Sequence, residues 1–325
     1  MSDEAVVVLS WLVTAHLVGD FVLQTEWMAV EKFGAGSHAR RALLWHVAVV
    51  GLVHAPLALV FGVPGALFAA VTAVSHGVID RTKIALTHRA DGAPDPGGTE
   101  TEDQSPGPTL DRRWTPRPAG LFALDQVVHI MVLAVAWVVL LARSEPLPPF
   151  VEGLDRLIGG VDQEVVHGTV LTVLVLISLA IVNIRAASLL IGVLVRAPRA
   201  HRPPEGAAPP VPASPPVAYS LRVGPLVGRL EPDAPRRGPR TEQRSAASPA
   251  RIGEAIGVLE RLLIVGLVLT GAVATIGLVI AAKTLARFKQ LDDREFAEYY
   301  LLGTLASVTV AVLSALVAQA VLTRA

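Results

Sequence analysis

Apolar residues run through this chain in bilayer-length blocks rather than in the short alternating stretches of a soluble fold. Blocks of about 20 residues, the length a membrane-spanning helix needs, fall at 5–23, 42–61, 65–86, 121–142, 168–195, 256–282 and 300–322. The pattern predicts an all-α fold: a polytopic integral membrane helical bundle of about seven transmembrane helices. The first helix is expected to continue past the membrane edge through Gln24, Trp27 and Lys32. Residues 1–4 are acidic and lack the positive leader of a secretory signal, so the first block reads as a retained helix.

Two polar stretches interrupt the blocks. Residues 87–118 are rich in Pro, Gly, Asp, Glu and Thr, and 198–249 hold more than half of the 24 prolines. Neither can bury enough apolar surface to offset its ordering entropy, so both read as disordered linkers. They divide the chain into a membrane-embedded core at 1–196, which includes the loop 87–118, a Pro/Ala/Arg-rich linker at 197–250, and a C-terminal two-helix membrane unit at 251–325.

Short loops fix the orientation, because Lys and Arg gather on the cytoplasmic side. Lys32, Arg40 and Arg41 follow block one, Arg81, Lys83 and Arg89 follow block three, and Arg112, Arg113 and Arg117 precede block four. The loop 144–167 is acidic, with Glu145, Glu152, Asp155, Asp162 and Glu164 against Arg156. The N-terminus is expected outside and both long linkers in the cytoplasm. Lys283, Arg287, Lys289 and Arg294 face outward if 256–282 crosses once; either the rule fails there or that block is re-entrant.

Composition agrees with a membrane protein. The chain is 52% hydrophobic and 17% charged over 325 residues, with a mean hydropathy of +0.53. Formal net charge is zero, so nothing draws it to nucleic acid. Cysteine is absent, which excludes disulfides, thiolate metal sites and cysteine nucleophiles. The few lysines beside abundant Ala, Val, Arg, Gly and Pro point to a GC-rich bacterial genome, and so to the bacterial inner membrane.

Against this apolar background stand three acid–imidazole pairs, His16/Asp20, His76/Asp80 and Asp125/His129. Each pair is spaced by four residues and shares one helix face. An ionisable side chain in lipid is costly and marks a functional or paired interior. With the expected orientation, all six and His46 fall at one depth near the cytoplasmic leaflet. Carboxylate and neutral imidazole together suit Zn, Mn or Fe, and such an ion lowers the pKa of bound water toward about 7. Lys83 lies on the stripe of His76, where it could meet a phosphate or serve as an interfacial anchor. His54, beside Pro56 nearer the outer end, reads as structural. His38, His88, His167 and His201 carry no signal.

The run His16-Leu-Val-Gly-Asp20-Phe-Val-Leu-Gln24-Thr, then His46, then His76-Gly-Val-Ile-Asp80-Arg-Thr-Lys83, then Asp125-Gln126-Val-Val-His129 resembles a bacterial membrane family of unknown function, domain of unknown function 3307. The resemblance covers 11–133. The later run from Ile256 to Glu260-Arg261, with Lys283, Arg287 and Glu298-Tyr299, is similar to the C-terminal part of longer members. The family implies no established activity, although its pattern is similar to that of inner-membrane metal-dependent hydrolases. Lys283 and Arg287 share a face, as an anion site needs, or anchor at the interface with an ion pair to Glu298. No phosphate-binding glycine loop, nucleophile elbow or His-Glu-x-x-His motif occurs.

These observations lead to one expectation and one rival. The expected protein holds a divalent ion through His16, Asp20, His46, His76, Asp80, Asp125 and His129. Asp20, Asp80 and Asp125 would be its catalytic carboxylates, and Gln24, Lys83 and Gln126 would contact an anionic or phosphate-containing substrate. Its reaction would be hydrolysis of a phosphate or ester at the membrane. The rival is a proton-coupled transporter, or an accessory membrane protein whose His/Asp layer is a relay or a structural hydrogen-bonded core.

Overall fold

Helix α1 (Asp3–Leu17) opens the span that is buried over the largest share of its length. The structure, a computed structural model, describes residues 3–92, 117–195, 219–223, 226–230 and 249–323. α1 runs into a π-helical turn at Val18–Val22, where the Leu23 N–H donates to Val18 O at 2.9 Å. Such a turn adds a residue to the helical register and re-aims the side chains within it.

The helix expected to pass through Gln24 to Lys32 instead breaks. Thr25 leaves helical geometry and caps α2 (Glu26–Glu31), its hydroxyl accepting from Met28 N at 3.3 Å. Threonine competes for backbone bonds in this way, which favours it at helix starts.

α3 (Gly36–His54) and α4 (Leu57–Phe61) replace the continuous second block; the interruption falls at Pro56, which has no N–H to give a helix. α5 (Val63–Gly92) carries the third block past its expected end at 86, taking Thr87–Gly92 out of the expected loop. The remainder of 87–118 up to Arg117 lies outside the described residues. α6 (Arg117–Ala136) ends in a π turn, Trp137–Leu141, and a short α7 (Pro148–Ile158) leads to α8 (Gln163–Ile181). A third π turn, Val182–Ala186, joins α8 to α9 (Ala187–Leu194).

Within the expected linker 197–250, β1 (Tyr219–Val223) and β2 (Leu226–Leu230) form an antiparallel hairpin with Tyr219 opposite Leu230. This hairpin belongs to a separate compact unit, and the rest of the linker before Pro249 lies outside the described residues. α10 (Pro249–Leu269), α11 (Ile276–Ala286) and α12 (Arg294–Leu322) complete the chain.

Five helical stretches are long and apolar enough to cross a membrane: Glu4–Val22, Val63–Arg89, Pro118–Leu141, Gln163–Leu194 and Phe296–Leu322. The two missing from the expected seven are the blocks that break, at Pro56 and between α10 and α11. At the second break Gly271 takes φ +76, a left-handed conformation that favours glycine. α11 then runs back along α10, so that Lys283 on one donates to Glu260 on the other. Of the two alternatives open for 256–282, the structure takes the returning hairpin.

The C-terminal helices were expected as a unit apart and as a pair. They are three, and from Glu254 onward they share one compact unit with α1–α9. Val6 of α1, Leu171, Val175 and Leu179 of α8, Ile264 and Val268 of α10 and Ile276 of α11 pack together there. Ala311, Ala315 and Ala318 of α12 join them, small residues that allow helices in lipid to approach closely. A second cluster joins Leu12 to α4, α5 and α6 through Leu57, Phe61, Phe68 and Leu133. The α3–α5 crossing is tight: a Cβ on Gly77 would meet Val47 Cγ2 at 2.8 Å.

Candidate metal centre

Four elements deliver the chemistry to one point. α1 and its π turn supply His16 and Asp20, α3 supplies His46, α5 supplies His76 and Asp80, and α6 supplies Asp125 and His129. All seven residues are brought together. His16, His46, His76 and His129 are only 1–3% exposed.

The tightest group is Asp20, His46 and His76. The two imidazoles face each other Nε2 to Nε2 at 2.8 Å, with Asp20 Oδ1 at 3.5 Å from His46 and 3.4 Å from His76. A triangle with these edges has a point about 2 Å from every corner, close to its plane, which is the bond length zinc makes to imidazole and carboxylate. Two overlapping groups, His16/Asp20/His129 and His76/Asp80/His129, also keep their ligand atoms within 4.8 Å of one another. His16 Nε2 stands 3.9 Å from Asp20 Oδ2, and the His16 and His129 rings stack with centroids 5.2 Å apart.

Tautomer follows from the outer partners. His129 Nδ1 donates to Asp125 O at 2.8 Å, which leaves its Nε2 as a lone pair. That nitrogen, His16 Nε2 and Asp20 Oδ1 are all buried and make no hydrogen bond among the described residues. Buried polar atoms are normally satisfied, and the orphaned ones converging here make a donor set that could hold a metal ion.

The carboxylates at the centre differ in their partners. Lys32 Nζ donates to Asp80 Oδ2 at 2.7 Å, and Lys83 Nζ to Asp125 Oδ2 at 2.7 Å. Asp20 has no lysine or arginine partner among the described residues; Gln126 Nε2 reaches its Oδ2 at 3.4 Å and Asp125 Oδ2 at 3.2 Å. Buried Asp80 and Asp125 are neutralised by lysines, and the third carboxylate, Asp20, turns its buried Oδ1 toward the imidazoles. A buried carboxylate without a cation is expensive. Asp80 also lies 3.6 Å from His46 Nε2 and 4.0 Å from His76 Nε2, so its lysine-bound oxygen borders the centre.

Lys32 has no place in the expected site, because a continuous helix carries it away from Asp20. The break at Thr25 returns it, and it is buried. Gln24 closes the turn: with its amide oriented to satisfy both atoms, it donates to Asp20 O at 3.2 Å and accepts from Lys32 Nζ at 2.8 Å. Lys83 binds Asp125 and leans on the Phe122 ring, with 18% of its side chain exposed at the rim.

A second polar knot holds the hairpin. Arg261, 3% exposed, donates to Asn183 O at 2.7 Å on the third π turn and to Ser188 Oγ at 2.7 Å. It also reaches Ser307 Oγ at 3.3 Å. Asn183 is fully buried, and its place in the apolar block 168–195 was the signal that could have found it. Lys283 pairs with Glu260 rather than Glu298, which accepts from Arg294 Nε at 2.9 Å.

The match to known proteins lies on the segment that builds the centre. Residues 8–155 match the DUF3307 family. That family is described as a protein of unknown function. No curated protein and no solved structure matches the chain. The DUF3307 segment contains every one of the seven His and Asp residues, both neutralising lysines and most of α7, whereas Asn183, Arg261 and the returning hairpin lie beyond it.

Proposed function

We propose that this is a metalloprotein of the bacterial inner membrane, holding a divalent cation between Asp20, His46 and His76, with His16 and His129 at its remaining positions. The observation that carries this reading is Asp20 Oδ1, buried without a hydrogen-bond donor and facing two imidazole Nε2 atoms at 3.4 and 3.5 Å. Zn, Mn and Fe all accept such nitrogen and oxygen donors. The lysines and arginines gathered at that end of the bundle support a position near the cytoplasmic leaflet.

The chemistry best suited to it is metal-assisted hydrolysis of a phosphate or ester at the membrane. The cation supplies a water acidic enough to attack at neutral pH. Asp125 Oδ1, buried and without a donor among the described residues, is the carboxylate oxygen free to take the proton. Lys83, the partly exposed charge at the rim, meets an anionic substrate by exchanging Asp125 for it. Asp80 stays bound to Lys32 and orients His46 and His76.

Metal content of the purified protein tests the reading. Wild type should carry close to one equivalent, and Asp20→Asn, Asp80→Ala and His129→Ala should each lose at least tenfold. Equal, near-zero metal in all four ends it. A relay or transport role is favoured by one observation, the deep burial of all four imidazoles. Proteoliposome flux that depends on Asp125, without hydrolysis of phosphate or ester substrates, would select that role.

A further inference from the structure

His54 is fully buried and stands outside the centre just described. Its Nδ1 donates to Val50 O at 2.8 Å, so Nε2 is a lone pair, and no donor among the described residues reaches that nitrogen. Its neighbours are aromatic: the Trp11 ring meets it edge-on at 6.3 Å and the Phe68 ring lies 6.0 Å away. Thr72, 4% exposed, likewise has a buried hydroxyl without a partner. Six other threonines in these helices behave differently. Thr14, Thr82, Thr87, Thr172, Thr270 and Thr284 each donate to the carbonyl four residues back. Thr72 forgoes that bond.

The α3–α5 register relates these two orphans to the centre. His46 meets His76, and a Cβ on Gly51 would lie 3.3 Å from Ala73 Cβ, so the helices run antiparallel with Thr72 beside Val50 and Gly51. Thr72 is one turn from His76, and His54 is one turn beyond Val50. A helical turn rises about 5.4 Å, close to two hydrogen bonds in series through one water.

We propose that Thr72 and His54 hold a buried water, and that this water carries the polar chain of the centre into the other half of the membrane. The Thr72 hydroxyl donates to the water oxygen, and a water O–H donates to His54 Nε2. Both orphans are then satisfied, as buried polar groups around an internal water are. The site depends on neither the identity nor the presence of an ion.

Water-edited solid-state NMR on 15N-histidine protein in lipid bilayers tests it. The His54 signals are assigned by their loss in His54→Phe, or in His54→Gln if the first variant fails to fold. Rapid transfer from water to His54 is expected in wild type, falling severalfold in Thr72→Val while metal content stays unchanged. A dry His54 in wild type, or transfer that Thr72→Val leaves intact, overturns the proposal. Metal assayed on the same samples separates the two ideas: a metal-bearing protein with a dry His54 sinks this one alone, and a metal-free protein with a wet His54 sinks the other alone.

Discussion

Asp20 and Lys32 show how differently two buried charges can be read from a sequence. Asp20 is legible because His16 lies one turn away on a helix whose apolar surroundings announce the bilayer. Lys32 is not, since its position depends on a break at Thr25 that an apolar pattern cannot register; the polar pair Gln24-Thr25 is the only hint. Its role makes a prediction. Removing one partner of a buried ion pair costs about 3–5 kcal/mol, and Lys32 and Asp80 are 6% and 3% exposed. Lys32→Met should therefore lower the thermal midpoint sharply in detergent. Added Zn2+ should restore part of the loss, since the freed carboxylate borders the centre; a midpoint unmoved by the substitution would remove Lys32 from the account. Asn183 was illegible for a related reason: one amide in a long apolar block looks incidental until Arg261, 78 positions later, is seen to bond its carbonyl.

At the scale of the element, what the sequence conceals is interruption. Bilayer-length blocks were correctly read as helical, but Pro56 and Gly271 split two of them. The positive-inside count left the second split open, because four cations on the wrong side allowed either an exception or a return. The α3–α5 crossing is where an element sets the site. Gly77 sits beside His76, and any side chain there drives into Val47. Gly77→Leu should push the helices apart, separate His46 from His76, and cut metal content at least tenfold while circular dichroism keeps its helical signature. Normal metal loading in that variant would mean that the two histidines do not depend on this approach.

For the whole molecule, the returning hairpin fixes which ends lie together. The chain has no cysteine, so single cysteines report accessibility without background. Ser37→Cys and Lys289→Cys should react with an impermeant maleimide from the same side of the membrane, and Glu152→Cys from the opposite side. Labelling of position 289 together with position 152 would show that 256–282 crosses once after all. Metal should also stabilise the assembly as any ligand of the native state does, by about 2.7 kcal/mol at a hundredfold excess over its dissociation constant. Chelation should lower the thermal midpoint of wild type and leave that of Asp20→Asn unchanged; an equal response in both would place the ion elsewhere.

A donor set of imidazoles and one carboxylate, without sulfur, has a consequence for how the protein is handled. Among first-row divalent ions such sites follow the Irving–Williams order, and copper(II) outcompetes zinc, iron and manganese on affinity alone. The ion found in a preparation will thus track what the cell and the buffers supplied. Protein purified over leaching nickel or in copper-bearing solutions will carry those metals, and loading under the cell's own buffered metal concentrations is what will reveal the native occupant.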